Sequence, residues 1–124
     1  MEKIVLHHLE HSRSHRILWL LEELELPYEL VTYERDANFR APKELRDVHP
    51  LGKSPVITIG GTAFAETGAV IETVLDRFGE GRLRPDAGPD LDRFRYFLHY
   101  AEGSLMPPLL VKLITEKTAA RVAA

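Results

Sequence analysis

The feature that most constrains the fold is a change in apolar spacing along the first part of the sequence. Residues 4–9 form a short apolar run that is typical of a buried strand. From Ser14 the apolar residues follow helical spacing until Pro27 prevents the helix from continuing, and residues 28–33 then have the composition of a strand. A strand, a helix and a second strand in this order predict a right-handed β-α-β unit with parallel strands, and therefore an α/β domain.

The next stretch, residues 34–50, is polar and interrupted by Pro42 and Pro50. Such a segment is typical of a surface excursion, because proline interrupts helices and strands alike. It has room for one short helix over residues 43–48.

A second pair of strands and another helix follow this excursion. Residues 56–59 and 62–65 flank Gly60-Gly61, which predicts an antiparallel hairpin with a two-residue turn. Apolar residues then recur at helical spacing over residues 70–78, and Gly79 stands where helices commonly end. The predicted order of elements is therefore β-α-β-α-β-β-α.

The remaining sequence differs in character. Residues 81–89 are rich in glycine, proline and charge and predict a linker between a domain at residues 1–80 and a helical region at residues 90–124. Apolar residues three and four apart over residues 91–105 predict a long amphipathic helix, which Pro107-Pro108 should kink or stop. We expect at most one more short helix, so this region resembles the start of an all-helical domain that is incomplete and cannot close a core by itself.

Composition narrows the possible functions. The chain has no cysteine, which excludes structural disulfides and chemistry by a protein thiol, so any thiol that takes part must belong to a ligand. Its net charge of -3, with both signs interspersed, argues against a nucleic acid partner. No apolar run approaches the roughly 18 residues of a membrane span, and the N-terminus runs directly into a strand-like segment instead of a secretory signal. We therefore expect a soluble, cytoplasmic protein.

Several motifs fall at the predicted loops and strand ends. They are His11-Ser12-Arg13 with Arg16, Leu18-Trp19-Leu20-Leu21, Tyr28-Glu29, the run from Arg35 to Pro42, and His49-Pro50-Leu51-Gly52-Lys53-Ser54-Pro55. Their combination, on an order of elements that is thioredoxin-like, resembles the cytosolic glutathione transferases, and most of all a subgroup found in fungi and bacteria. The resemblance covers residues 3–78 closely and continues into the opening helix of the family's helical domain at residues 90–114. It implies a glutathione-binding domain with a mixed four-stranded sheet.

The resemblance assigns roles to residues 53–55. In the family the proline at this point is cis, so Pro55 is expected to be cis and the backbone of Ser54 to pair with the cysteinyl part of glutathione. Lys53 matches the residue that meets the glycyl carboxylate. On the residues alone, a trans proline that opens an edge strand and an ordinary exposed lysine are the alternatives.

Glu66-Thr67 stands before the third predicted helix, where free backbone N–H groups and the positive helix end favour an anion. The resemblance implies that this pair binds the α-amino and α-carboxylate groups of the γ-glutamyl residue, with Thr67 in place of the family's usual serine. Threonine is also a good helix N-cap, and both interpretations can hold together.

The family activates the glutathione sulfur with a tyrosine, serine or cysteine that lies just after the first strand. Ser12 and Ser14 are the candidates here. The resemblance implies Ser12, four residues before Arg16, as the catalytic hydroxyl, with Ser14 as the alternative. Ser12 could instead serve only as the cap of the first helix.

Four histidines, His7, His8, His11 and His15, raise the question of a metal site. His7 and His8 are neighbours on a strand and point to opposite faces, and no carboxylate stands at ligand spacing, so we expect no metal. We interpret Trp19 and its leucine neighbours as part of the core.

The sequence therefore predicts a glutathione transferase, acting in detoxification, that stabilises the glutathione thiolate for attack on a small, apolar electrophile. Glutathione would be the co-substrate, and members of the family act as homodimers. Two alternatives are a non-catalytic glutathione transferase-like binding or adaptor module, and a glutathione-dependent isomerase or peroxidase. A glutaredoxin-like reductase is disfavoured because it needs a protein thiolate.

Overall fold

A mixed four-stranded sheet forms the centre of the first part of the chain. In the computed structural model, which describes residues 1–123, the strands are β1 (Ile4–Leu9), β2 (Glu29–Tyr33), β3 (Val56–Ile59) and β4 (Thr62–Ala65). Their order is β2-β1-β3-β4, with β1 parallel to β2, β3 antiparallel to β1, and β4 antiparallel to β3. The predicted parallel pair, hairpin and α/β fold are confirmed.

The turn between β3 and β4 explains the two glycines. Gly60 and Gly61 have φ angles of 56° and 84°, which is the left-handed pair that a two-residue type I′ turn requires. Glycine adopts these angles without a steric penalty, so the turn fixes the register in which Ile59 faces Thr62.

Three helices accompany the sheet: α1 (Ser14–Glu23), α2 (Glu44–Val48) and α3 (Thr67–Phe78). The core is formed by apolar side chains that are at most 5% exposed: Ile4, Leu6, Leu9, Ile17, Leu21, Leu24, Leu45, Val56, Ile57, Ile59, Val70, Val74 and Leu75. Apart from Leu24, which directly follows α1, these residues come from all three helices and from β1 and β3, so burial of their apolar surface holds the helices against the sheet.

Trp19 is not a core residue, and its interpretation as one is wrong. Its side chain is 66% exposed, and its Nε1 donates a hydrogen bond to Glu23 at 2.9 Å. The buried stripe of α1 contains Ile17 and Leu21, and a residue two positions from each of them lies on the opposite side of a helix. Helical geometry therefore places Trp19 on the outer face.

Arg82 joins the ends of two helices. Its Nη1 donates to the Leu24 carbonyl at 3.1 Å, just after α1, while its Nε donates to the Gly79 carbonyl at 2.9 Å, just after α3. Its Nη2 contacts the Phe78 carbonyl at 3.4 Å. Carbonyls at helix C-termini lack intrahelical partners, and the guanidinium satisfies several of them at once.

The chain divides into two units, Met1–Leu83 and a second unit that begins at Arg84. The second unit contains α4 (Gly88–Tyr100), a π-helical turn (Ala101–Leu105) and α5 (Met106–Ala123). No helix among residues 1–123 is long and apolar enough to cross a membrane.

One expectation about the second unit is wrong: α5 is 18 residues long instead of short. Of the two outcomes expected at Pro107-Pro108, a kink or a stop, the stop does not occur. The two prolines lie in the first turn of α5, directly after the wider π-helical turn, where a missing N–H costs least. The helical path therefore continues through this point.

Candidate functional site

Three chain segments meet at one edge of the sheet. β1 and β3 are antiparallel with His7 opposite Val56, and β3 and β4 are antiparallel with Val56 opposite Ala65. The end of β1, the start of β3 and the end of β4 therefore lie side by side. This pairing brings together the loop after β1, Ser54-Pro55 and Glu66-Thr67, which are far apart in the sequence.

Ser12 lies at the centre of this edge. Its Oγ is 2.9 Å from the Oγ of Ser54, 2.8 Å from the Oγ of Ser14 and 2.7 Å from the Leu9 carbonyl, to which it can donate. The backbone N–H of Ser14 also donates to Ser12 Oγ, at 3.2 Å. A hydroxyl has a single proton, so Ser12 can accept from the serine hydroxyls and from the Ser14 N–H while it donates to the Leu9 carbonyl, which can only accept.

The interpretation of Ser12 as a cap of the first helix is confirmed in part. Helix α1 begins at Ser14 with Arg13 as its N-cap residue, yet Ser12 Oγ accepts the Ser14 N–H. The hydroxyl thus supports the start of α1 and also faces Ser54. A structural role and a role toward a ligand are compatible in this geometry.

Ser14 is fully buried and connects Ser12 to a histidine. Its Oγ lies 2.7 Å from Nδ1 of His8 and 3.2 Å from the Leu9 carbonyl. Burial lowers the pKa of His8, and the nearby charge of His15 lowers it further. Sequence reasoning treated His8 only as a metal candidate, because the contact between a strand residue and the first residue of a helix depends on the turn between them.

The Ser54–Pro55 peptide bond is cis, and Pro55 is buried. Ser54 is half-buried and hydrogen-bonds Ser12 through its hydroxyl, while Lys53 is exposed. These three residues immediately precede β3, so they border the same edge as Ser12.

Glu66 and Thr67 form the start of α3. Glu66 is the N-cap residue with a φ of 74°, and its carbonyl accepts the Val70 N–H at 2.9 Å. Thr67 is 6% exposed and is the first helical residue, so its interpretation as the N-cap is wrong. The N–H groups of the first turn precede the first intrahelical bond, and together with the helix dipole they favour an anion.

Arg35 holds the loop that carries Ser12. Its Nε donates to the Glu10 carbonyl at 3.0 Å and its Nη2 to the His11 carbonyl at 2.7 Å. Its Nη1 donates to the Phe39 carbonyl at 2.9 Å, and the guanidinium lies over the Phe39 ring at 4.6 Å. The sequence places Arg35 in a motif but indicates no role for it, because it stands between Glu34 and Asp36 in an ordinary charged run after the predicted strand.

The four histidines do not gather around one point. His7 bonds the Tyr33 hydroxyl through Nδ1 at 2.9 Å, His8 bonds Ser14, and His11 stacks on Phe39. Burial lowers the pKa of His7, although the charge of Glu29 opposes the shift. Within residues 1–123, no group of three or more histidine, aspartate or glutamate side chains is arranged to hold a metal ion.

Comparison with known proteins gives consistent matches. The family model for the glutathione S-transferase N-terminal domain matches residues 1–75. Glutathione S-transferase 1 of Saccharomyces cerevisiae is 44% identical over 121 residues, covering 92% of this chain and 52% of the relative. Glutathione S-transferase 3 of Schizosaccharomyces pombe is 40% identical over 105 residues, covering 84% of this chain and 43% of the relative.

A solved structure is similar as well. The glutathione S-transferase from Actinobacillus pleuropneumoniae superposes with a TM-score of 0.82 at 42% identity, covering 92% of this chain and 54% of that one. The chain thus spans about half the length of the relatives it matches.

Proposed function

Because this chain belongs to the glutathione S-transferase family, we propose that its first unit binds glutathione at the edge formed by the β1–α1 loop, Ser54-Pro55 and Glu66-Thr67. Ser12 then stabilises the thiolate of glutathione, which attacks an electrophilic carbon of a small apolar co-substrate. The observation that carries the proposal is the 2.9 Å contact between the Ser12 and Ser54 hydroxyls, at the sheet edge where α3 begins. This contact supports the proposal because a hydroxyl that can donate lies beside the residue whose backbone would hold the cysteinyl part of the tripeptide.

The chemical task at this edge is to ionise a thiol. A free thiol has a pKa near 8.5, and lowering it by about two units requires roughly 2.7 kcal/mol of preference for the anion. A hydrogen bond to a charged group contributes about 1.5–3 kcal/mol. A single hydroxyl donor such as Ser12, helped by the positive end of a helix, therefore supplies an effect of the required size.

The other proposed contacts hold the tripeptide in place. Lys53 is exposed and would meet the glycyl carboxylate, and the backbone of Ser54 would pair with the cysteinyl residue. The Glu66 carboxylate would meet the α-amino group of the γ-glutamyl residue. Thr67, with the N–H groups of the first turn of α3, would bind its α-carboxylate.

The second unit offers a surface of a different kind. An open groove of about 430 Å³ there is lined by Asp92, Arg95, Tyr96, His99, Tyr100 and Ser104. Its two tyrosines stack with their ring centroids 5.8 Å apart. An aromatic wall of this kind suits an apolar ligand.

The proposal extends to assembly and location. Apolar side chains on α5, including Leu109, Val111 and Ile114, are about half exposed or more, as expected for a surface covered in a homodimer. A cytoplasmic location would keep glutathione reduced and available. Size-exclusion chromatography with light scattering measures the oligomeric state, and a monomer at all concentrations would remove the dimer from the proposal.

The test is calorimetric titration of glutathione into the protein, followed by turnover assays with an aryl halide and with an organic hydroperoxide. Saturable binding with turnover of the aryl halide supports a transferase. Turnover of the hydroperoxide alone would indicate a peroxidase. Absence of binding at millimolar glutathione would contradict the proposal and leave a non-catalytic adaptor as the better interpretation.

A further inference from the structure

A continuous chain of side chains leads from the proposed sulfur position to an imidazole. Ser12 Oγ lies 2.8 Å from Ser14 Oγ, and Ser14 Oγ lies 2.7 Å from His8 Nδ1. Each of these distances is that of a hydrogen bond. Ser14 is fully buried, so solvent cannot take the place of its hydroxyl in the chain.

A thiol that ionises at this site must give its proton to another group. Ser12 cannot keep it, because a hydroxyl is not a base at neutral pH, and the same is true of Ser14. The imidazole of His8 is the first group along the chain that can hold an additional proton.

We propose that His8 takes up the proton of the glutathione thiol through Ser14 and Ser12, an inference that rests on the proposed function. His8 does not touch glutathione in this scheme; it is a positioning residue that acts through the two serines.

The transfer can be followed bond by bond. Before ionisation, the thiol donates to Ser12 Oγ, Ser12 turns its proton from the Leu9 carbonyl to Ser14 Oγ, and Ser14 turns its proton from the same carbonyl to Nδ1 of a neutral His8. The S–H bond then breaks, each hydroxyl passes on its own proton while receiving another, and a new N–H bond forms at His8 Nδ1. Afterwards His8 donates to Ser14, Ser14 to Ser12, and Ser12 to the thiolate.

The outcome has two consequences for the site. All three hydrogen bonds are reversed, so the only proton of Ser12 is directed at the sulfur, where a thiolate needs a donor. The positive charge of the imidazolium also lies two hydroxyls away from the thiolate and favours it. No oxidant or further reactant is required, since one proton moves and no electrons are exchanged.

The surroundings of His8 favour its neutral form in the absence of ligand. Partial burial and the nearby charge of His15 on α1 lower the pKa of His8, and a neutral imidazole has a nitrogen that can accept a proton; the charge of a nearby thiolate would oppose this shift in the complex. His15 is the titratable side chain that acts on it, with the two ring centroids 6.3 Å apart. Opposite His8 on β2 stands Thr32, which carries no charge.

The test compares the pKa of bound glutathione, followed by the ultraviolet absorbance of its thiolate, in the wild type, His8→Asn and His8→Ala. Asparagine places an amide near the position of Nδ1 and preserves a hydrogen bond to Ser14, but it cannot take a proton. His7→Asn, on the opposite face of the same strand, is the matched control. We expect the thiol pKa to rise by about one unit in both His8 variants and to stay unchanged in His7→Asn.

A second measurement follows His8 directly. NMR titration of the imidazoles gives the pKa of His8 in the free protein, with glutathione, and with S-methylglutathione, which has no ionisable thiol. We expect glutathione to raise the pKa of His8 and S-methylglutathione to leave it nearly unchanged. The pKa of His15 should change less than that of His8, because His15 is not part of the hydrogen-bond chain that leads to the sulfur.

The outcomes separate this inference from the proposed function. If the wild type binds no glutathione, the proposed function fails. If glutathione binds to all variants and the thiol pKa is the same with His8→Asn as with the wild type, the proton transfer to His8 is refuted while glutathione binding stands. Rescue by asparagine but not by alanine would likewise refute the transfer and leave His8 as a hydrogen-bonding support.

Discussion

The hydroxyl oxygens of Ser12 and Ser54 lie 2.9 Å apart, although 42 positions separate the two residues in the sequence. Ser12 belongs to the loop that leads into α1, and Ser54 belongs to the cis peptide that precedes β3. Their hydrogen bond joins two walls of the proposed glutathione site. The Ser12 hydroxyl is therefore held in position by the fold itself.

Ser12→Ala should leave glutathione bound while raising the pKa of its thiol by about one to two units, because a hydrogen bond to a charged group is lost. Titration of the thiolate absorbance measures the shift, and calorimetry measures the affinity. Ser54→Ala removes the hydroxyl that bonds Ser12 but keeps the Ser12 hydroxyl and the backbone contact proposed for glutathione, so we expect a smaller shift of the thiol pKa in this variant. A thiol pKa equal to that of the wild type in Ser12→Ala would remove the hydroxyl from the proposed mechanism.

Thr67→Val should weaken glutathione binding by about tenfold or more, because valine keeps the shape of the buried side chain but removes the hydroxyl proposed to meet the α-carboxylate. Thr67→Ser retains the hydroxyl and should bind close to normally. Calorimetric titration of all three proteins tests this. Binding by Thr67→Val as tight as that of the wild type would contradict the role proposed for the hydroxyl, and weakening in Thr67→Ser alone would point to the methyl group instead.

Glu66→Gly should have opposite effects on stability and on binding. Glu66 has a φ of 74°, which is costly for a residue with a side chain, so glycine should increase the free energy of unfolding by about 1 kcal/mol after its own entropic cost. The same change removes the carboxylate proposed to bind the α-amino group, so affinity should fall about tenfold.

Glu80→Gly provides the comparison for this variant, since Glu80 has a φ of 52° and lies just after α3, at the far end of the helix from Thr67. Urea denaturation and calorimetry should show increased stability with unchanged affinity. If Glu66→Gly lowered both stability and affinity, the residue would have to be regarded as structurally required.

Arg82→Lys should destabilise the first unit by about 1 kcal/mol, because a lysine ammonium cannot reach the carbonyls of Leu24, Phe78 and Gly79 together. The estimate is modest since the side chain is partly in contact with solvent. Urea denaturation gives the free energy, with Arg93→Lys on the exposed surface of α4 as the control. Equal effects in the two variants would contradict the role assigned to Arg82.

Stability should fall as the pH decreases from about 7 to about 5. Burial lowers the pKa of His7 and His8 below the ordinary value of 6.5, so the folded state binds fewer protons than the unfolded state in this range. Their contribution is complete above that value and is lost as the pH falls through the folded-state pKa. Urea midpoints across this range should show a shallower slope in a His7→Asn, His8→Asn double variant than in the wild type.

Much of the first unit could be predicted because local rules agree with the tertiary structure. The Gly60-Gly61 turn needs positive φ angles, which glycine supplies, and the strands on both sides of it have the predicted bounds. The start of α1 at Ser14 and the end of α3 at Phe78 also agree with the apolar spacing. The loop motifs, through the family they resemble, predict that Ser12, Ser54 and Thr67 belong to one glutathione site.

The other features of the fold and the site depend on tertiary contacts that the spacing of residues along the sequence does not reveal. The contact of His8 with Ser14 depends on the path of the turn between β1 and α1, and the role of Arg82 requires α1 and α3 to end close together. For Trp19, the apolar character of the side chain predicted burial, whereas its position on the helix places it on the exposed face. The length of α5 was also beyond what apolar spacing reveals, because Pro107-Pro108 lie in its first turn, after the π-helical turn, and do not end the helical path.

That π-helical turn also decides which way the end of the second unit faces. A π-helical turn contains about one residue more than an α-helical turn, and each residue of an α-helix accounts for about 100° of rotation. Rewinding the turn at Ala101–Leu105 to regular α-helix without removing a residue would swing the apolar side chains of α5 by about a quarter of a circle relative to those of α4. The π-helical turn thus determines how α5 is rotated about the helix axis relative to α4.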